Sequence, residues 1–181
     1  CTKKYMKDNF KLLFDKLSCL LGGDLEKYFT FNKQCGIHVH MSLNSFFTNL
    51  HKKKFVSVWN NFGRMEKEFI QKLGRREFTN YCKPSLQHEG KTIARRLSSS
   101  IFEASYGDLK YSACRETTST VEVRIFKSGF NLEAISYALD VVNSMYDFTL
   151  KAPIGSMSGP DLETDYREFV GFVHKYSDLN K

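Results

Sequence analysis

Two short segments of this chain carry side chains that could do chemistry from a rigid support. In Gly36-Ile37-His38-Val39-His40-Met41-Ser42, polar and apolar residues alternate. A strand sends successive side chains to opposite faces, so this pattern predicts a strand with two unlike faces. Ile37, Val39, Met41 and Leu43 share the apolar one. Gly36, His38, His40 and Ser42 share the other. The two imidazoles then stand about 7 Å apart along the strand, at roughly 3.3 Å per residue. With small neighbours and an apolar back, they suit a metal or phosphate site. Thr120-Val121-Glu122-Val123-Arg124-Ile125-Phe126 has the same design. Val121, Val123 and Ile125 form an apolar face, and Glu122 and Arg124 lie opposite, beside Thr120 and Phe126. A carboxylate and a guanidinium side by side make sense where that face lines a polar cleft. His38 and Glu122 are borderline-to-hard metal ligands. Arg124 offers a planar fork to carboxylate or phosphate. The plainer readings are two hydrogen-bonded histidines near a sheet edge and a same-face salt bridge, which stabilises weakly when exposed.

The elements that must position these residues follow from periodicity. Phe10, Leu13, Phe14, Leu17, Leu20 and Leu21 recur at helical spacing, and Gly22-Gly23 stops that helix. Residues 24–34 read as a loop and 35–43 as the histidine strand. A long helix is predicted over 47–73, with Phe55, Val58, Trp59, Phe62, Met65 and Phe69 on one face and Gly74 as its end. Residues 79–84 read as a turn, and 85–108 are ambiguous between helix and loop. A strand is predicted at 109–115 and a turn at 116–119, leading into the Glu122 strand. Asn131 is placed to cap a helix to 149, with Leu132, Ile135, Leu139, Val142 and Met145 inward. Residues 152–162 read as a loop, followed by an amphipathic helix carrying Tyr166, Phe169, Val170, Val173 and Tyr176. Long helices with few strands make the class α+β.

The 181 residues suffice for one domain with a core, and the 41% hydrophobic content predicts a globular chain. The net charge of +7 favours anionic ligands such as nucleotides and permits nucleic acid contact. A solvated basic face is the simpler account of that charge, since the basic residues are scattered and no recognised nucleic-acid motif appears. Lys52-Lys53-Lys54 and Arg95-Arg96 are read as solvated, and His51, His88 and His174 as lacking partners. Five irregularly spaced cysteines with no C-x-x-C pair predict reduced thiols in a cytoplasmic setting. Alternation turns Cys35 away from His38 and His40, which disfavours a zinc site. No apolar run approaches the length of a membrane span. The first residue is cysteine, which predicts a piece of a longer, processed or tagged polypeptide.

The string C-G-I-H-V-H-M-S-L resembles the G-x-H-x-H-x-S strand of glutamine synthetases. It is closer still to the histidine strand of the putative amidoligases, a divergent branch of the same carboxylate–amine ligase fold. T-V-E-V-R-I-F with the helix after it resembles the E-x-R strand and following helix of both groups. Arg75-Arg76 and Asn80-Tyr81-Cys82-Lys83-Pro84 resemble the Arg-rich turn and N-x-Y-C/A-x-P element of amidoligases. The resemblance runs over about residues 10–150. It implies a glutamine synthetase-like antiparallel sheet with flanking helices, incomplete in this chain. It also implies ATP-dependent formation of an amide or isopeptide bond through an acyl phosphate. His38 and Glu122 match ligands of one Mg2+ or Mn2+ ion. His40 and Ser42 match positions near the nucleotide phosphates, and Gly36 lies in a segment lining the amino acid site. Arg124 matches an arginine that meets substrate or transferring phosphate, and Arg76 matches a phosphate clamp. Metals and arginines serve such chemistry because charge accumulates on the transferring phosphoryl oxygens.

The chain departs from this pattern before its histidine strand, where the family places metal-binding glutamates. Residues 1–34 hold a single glutamate, Glu26, and no E-x-E strand. The expected organisation is an amidoligase-like domain at 1–150 lacking its N-terminal metal-binding strands, then a loop and helix at 151–181. An upstream segment or another chain would complete the site. The competing class is a catalytically inactive, ligase-like protein used for assembly with another chain or nucleic acid. A hydrolytic metalloenzyme using His38 and His40 lacks a third ligand at motif spacing and an obvious general base. The expected partners are nucleotide, carboxylate and amine substrates, with no membrane.

Overall fold

The computed structural model describes residues 3–23, 25–28, 35–60, 70–78, 82, 112–153 and 170–171. These form an α+β arrangement around a three-stranded antiparallel sheet. In chain order the main elements are α1 (Lys3–Leu21), β1 (Gly36–Ser42), α2 (Asn49–Asn60), β2 (Cys114–Glu116), β3 (Thr120–Lys127) and α3 (Leu132–Lys151). β3 is central, with β1 and β2 on either side. The predicted turn at 24–34 contains a short 3-10 helix at Leu25–Tyr28.

The sheet buries one face beneath the helices. Val39, Val121, Val123, Ile125 and Phe126 pack with Phe55, Val56 and Trp59 of α2 and with Ala138, Val141, Val142, Met145 and Phe148 of α3. Trp59, Phe55, Val121 and Val123 are wholly buried. Burial of a large apolar side chain contributes about 1.5–3 kcal/mol, so these residues anchor the layer. The buried stripe of α3 is rotated from the expected one. Val142 and Met145 are buried as predicted, whereas Leu132, Ile135 and Leu139 are only partly covered. On α1, Phe14 is buried, but Leu13 and Leu20 stay exposed. α1 meets the α3 region through Phe14 against Phe130, ring centroids 4.9 Å apart, and through Lys7 with Asp140 at 2.9 Å.

Helix ends follow local chemistry. Gly22 and Gly23 take positive φ, and Gly23 N donates to Ser18 O at 2.9 Å, closing α1 as predicted. Asn131 caps α3, its side chain accepting from Ala134 N at 2.7 Å. Thr48 Oγ1 accepts from His51 N at 3.0 Å at the start of α2. The predicted helix over 47–73 is described at Asn49–Asn60 and again at 70–74. Its end differs from expectation. Arg75, at φ 51, takes the left-handed position, and Arg76 N donates to Gln71 O at 3.0 Å. Gly74 is needed for another reason: a Cβ there would collide with the backbone carbonyl of Ile125 on β3.

Three further expectations are corrected. Phe126 does not share the face of Glu122. β1 pairs Ile37 with Phe126 but Val39 with Val123, so β3 advances three residues while β1 advances two. The extra residue is a bulge that resets the alternation, and Ile125 and Phe126 both enter the core. Lys54 is not solvated: it is buried, and its Nζ donates to the Ala152 carbonyl at 2.7 Å, at the C-terminus of α3. Lys52 pairs with Glu116 at 2.8 Å. His51 has partners: it is buried, stacks on Phe46 and Tyr146, and its Nε2 donates to Tyr146 O at 3.1 Å. Residues 1–2, 24, 29–34, 61–69, 79–81, 83–111, 154–169 and 172–181, including Arg95-Arg96 and most of the predicted last helix, lie outside the described residues. No helix among the described residues is long and apolar enough to cross a membrane.

Candidate active site

The sheet's other face is polar, and its centre is Glu122. Being on the middle strand, it stands directly opposite His40 on β1 and Arg115 on β2. It is 2% exposed. Its Oε1 lies 2.8 Å from His38 Nδ1, 2.9 Å from Arg124 Nε and 3.6 Å from His40 Nε2. Its Oε2 accepts from Arg115 Nε at 2.6 Å. The alternation read in β1 and β3 therefore does what it predicts: His38, His40, Glu122 and Arg124 converge on one face.

Burial by itself would raise the carboxyl pKa of Glu122. The hydrogen bonds and positive charges of Arg115 and Arg124 outweigh it and bring the pKa from 4.5 down to about 2. Burial and then the charge of Arg124 lower the pKa of His38, with Glu122 pulling the other way. His38 is thus a neutral imidazole near pH 7, the form that ligates metals. Its Nδ1–H donates to Glu122, which leaves Nε2 with a lone pair. His40 is oriented from behind: its Nδ1 lies 3.0 Å from Thr120 Oγ1, which in turn lies 2.9 Å from Thr117 Oγ1. Such a hydrogen bond holds the orientation of the ring.

Compared with protein-family models, curated proteins and solved structures, the chain matches none.

Among the described residues, one group of histidine, cysteine and carboxyl side chains is close enough to hold a metal ion. It is His38, His40 and Glu122, whose donor atoms lie within 4.8 Å of one another. The set offers mixed nitrogen and oxygen donors to a divalent ion. The charge balance is less favourable to a bare cation. Arg115 and Arg124 bring two positive charges against the one negative charge of Glu122, so these three groups leave one net positive charge. The face therefore attracts anions as well as offering ligands to a metal.

The other predicted residues fall nearby with more local duties. Arg76 reaches the sheet, its Nη1 donating to the Arg124 carbonyl at 3.5 Å. Gly36 lies under it: a Cβ at that position would meet the Arg76 guanidinium and stand 2.9 Å from Phe126 O. Ser42 ends β1, where its Oγ accepts from Asn44 N at 3.3 Å and caps a short 3-10 helix, Leu43–Ser45. Cys35 is exposed and outside the cluster. Sequence reasoning passed over Arg115 and the Thr120–Thr117 pair. A signal for Arg115 exists: moving the hairpin turn one residue later, to 117–120, pairs Arg115 with Glu122. Opposite charges directly across strands stabilise a pair.

Proposed function

We propose that this chain carries the metal- and phosphate-handling face of an ATP-dependent carboxylate–amine ligase with a glutamine synthetase-like fold. The observation that carries the reading is the convergence of His38, His40 and Arg124 on Glu122, from two adjacent antiparallel strands. His38 and Glu122 hold a Mg2+ or Mn2+ ion, with His40 beside them. The ion's contribution is to neutralise charge on phosphate oxygens. Arg124 meets the transferring phosphoryl group or the substrate carboxylate, and Arg76 supports it from the sheet edge. His40 and Ser42 lie along the nucleotide side, and Gly36 along the amino acid side. In the reaction, a carboxylate oxygen attacks the γ-phosphorus and ADP leaves, giving an acyl phosphate. An amine then attacks the carbonyl carbon, phosphate leaves, and the nitrogen loses a proton. Glutamates from an upstream segment or another chain complete the metal shell.

A second reading rests on the engagement of both Glu122 oxygens by arginines. An ion-pair network of that kind also suits a ligase-shaped scaffold without catalysis, used for assembly. Calorimetry separates the two. ATP binding that Mg2+ strengthens, with that strengthening lost in His38→Ala and Glu122→Ala variants that remain folded, supports the ligase. Absence of ATP binding with Mg2+ present, in the chain joined by the segment or partner that completes the shell, overturns it and leaves the scaffold.

A further inference from the structure

We infer that Arg115 is a positioning residue that makes metal binding conditional on an anionic phosphate. This deepens the ligase reading above and rests on it. Glu122 is the carboxylate of the His38–His40 cluster, yet its Oε2 is taken by Arg115 Nε at 2.6 Å and its Oε1 is shared with Arg124 Nε at 2.9 Å. A divalent cation entering alone must displace neutralising partners from Glu122 and remain near two guanidinium charges. Like charges at such short range repel strongly in a partly buried site.

A polyphosphate removes that obstacle. Its oxygens offer guanidinium groups the fork-matched, charge-assisted bonds they prefer. Arg115 and Arg124 are 22% and 13% exposed at their side chains, whereas Glu122 is 3% exposed. Of the three charged groups the arginines are therefore the ones that solvent-borne anions reach, beside the more exposed imidazoles of His38 and His40. As they turn to phosphate, Glu122 gains free lone pairs beside His38, and the anion supplies negative charge that the protein face lacks. Phosphate thus enters first or together with its metal. Arg115 controls the order because it comes from the neighbouring strand, in register with Glu122, and holds the oxygen that faces away from the imidazoles.

The test compares wild type with Arg115→Gln and an Arg115→Gln/His38→Ala double variant. Mn2+ binding is measured without any anion, by the EPR signal of free Mn2+. Tripolyphosphate binding is measured in EDTA by calorimetry. The expected result is that wild type binds tripolyphosphate without metal and holds Mn2+ weakly. Arg115→Gln binds Mn2+ alone more tightly, by roughly 5–150-fold, the usual span of a coupling between ligands. It binds tripolyphosphate more weakly, and the double variant loses the gained Mn2+ affinity. If wild type binds Mn2+ as tightly as Arg115→Gln and only the double variant loses it, Arg115 is no gate, although the ligase-type metal site stands. If neither wild type nor Arg115→Gln binds Mn2+, the metal assignment itself fails. Should Arg115→Gln not fold, wild type decides: tripolyphosphate must bind in EDTA, and Mn2+ bound tightly without anion overturns the inference.

Discussion

Glu122 is a buried carboxylate held by two arginines from its own and a neighbouring strand, and its energetics follow from that position. Glu122→Gln removes the negative charge and leaves Arg115 and Arg124 facing each other. Breaking a buried ion pair by removing one partner costs about 3–5 kcal/mol. The arginines keep some solvent here, so the low end, about 3 kcal/mol, is expected in urea unfolding at pH 7. The pH dependence has a definite sign. The folded pKa of Glu122 is depressed from 4.5 to about 2. Its contribution is therefore complete above pH 4.5 and is lost as pH falls toward 2. The stability gap between wild type and Glu122→Gln should narrow across that window. A gap that stays constant from pH 5 to pH 2 would show that Glu122 gains nothing from its arginines.

At the scale of elements, two packing sites lend themselves to measurement. His51 on α2 is buried between Phe46 and Tyr146, and burial lowers its pKa from 6.5. A histidine kept neutral by the fold is a stability cost in acid, because the unfolded chain takes up the proton first. His51→Phe forfeits the bond to Tyr146 O, worth about 1 kcal/mol, at pH 7.5. Below pH 6.5 it should lose less stability than wild type, so the two unfolding curves converge. The second site is the end of the helical segment at 70–74. Gly74→Ala sets a methyl group against the Ile125 carbonyl and should destabilise by about 1–3 kcal/mol. Arg75→Gly, by contrast, relieves a left-handed residue of about 1 kcal/mol. It also gives up the contact of Arg75 over the Tyr137 ring at 4.1 Å, so a near-neutral result is expected. Thermal melts of the two variants should therefore differ clearly although the positions are adjacent.

For the whole molecule, helices on one side and charge on the other divide the labour of the sheet. Ligands that bind the polar face stabilise the fold by mass action. Mg2+ with ATP at a hundred times its dissociation constant should add about 2.7 kcal/mol to unfolding stability. The melting temperature should rise with both present and not with Mg2+ alone. Because the chain carries +7 and the face is net positive, that gain should shrink as salt rises from 0.05 to about 0.5 M, over which screening shortens. Salt-independent stabilisation would point to a ligand held by apolar contact elsewhere.

Local pattern determined a good deal here. The alternation in Gly36–Ser42 and Thr120–Ile125 assigned each side chain its face, because a strand's period of two leaves little choice. Gly22-Gly23 and Asn131 set helix ends by bonds made within a few residues. The candidate site was readable in four of its members for the same reason: His38, His40, Glu122 and Arg124 lie on the polar faces of two patterned strands. What depended on other parts of the chain was not readable. The bulge that turns Phe126 inward belongs to the pairing of β3 with β1 and has no mark in either strand alone. Lys54 looked like a surface lysine until the end of α3 gave it a carbonyl, and His51 looked isolated until Tyr146 covered it. Gly74 looked like a helix stop until Ile125 came against it. Arg115 joined Glu122 only through hairpin register, where a one-residue error in the turn misplaces every cross-strand partner. Sequence alone assigned which side chains share a strand face, since that is a matter of local geometry. Tertiary structure decided how those charges balance, since electrostatics depends on distance in space and not along the chain.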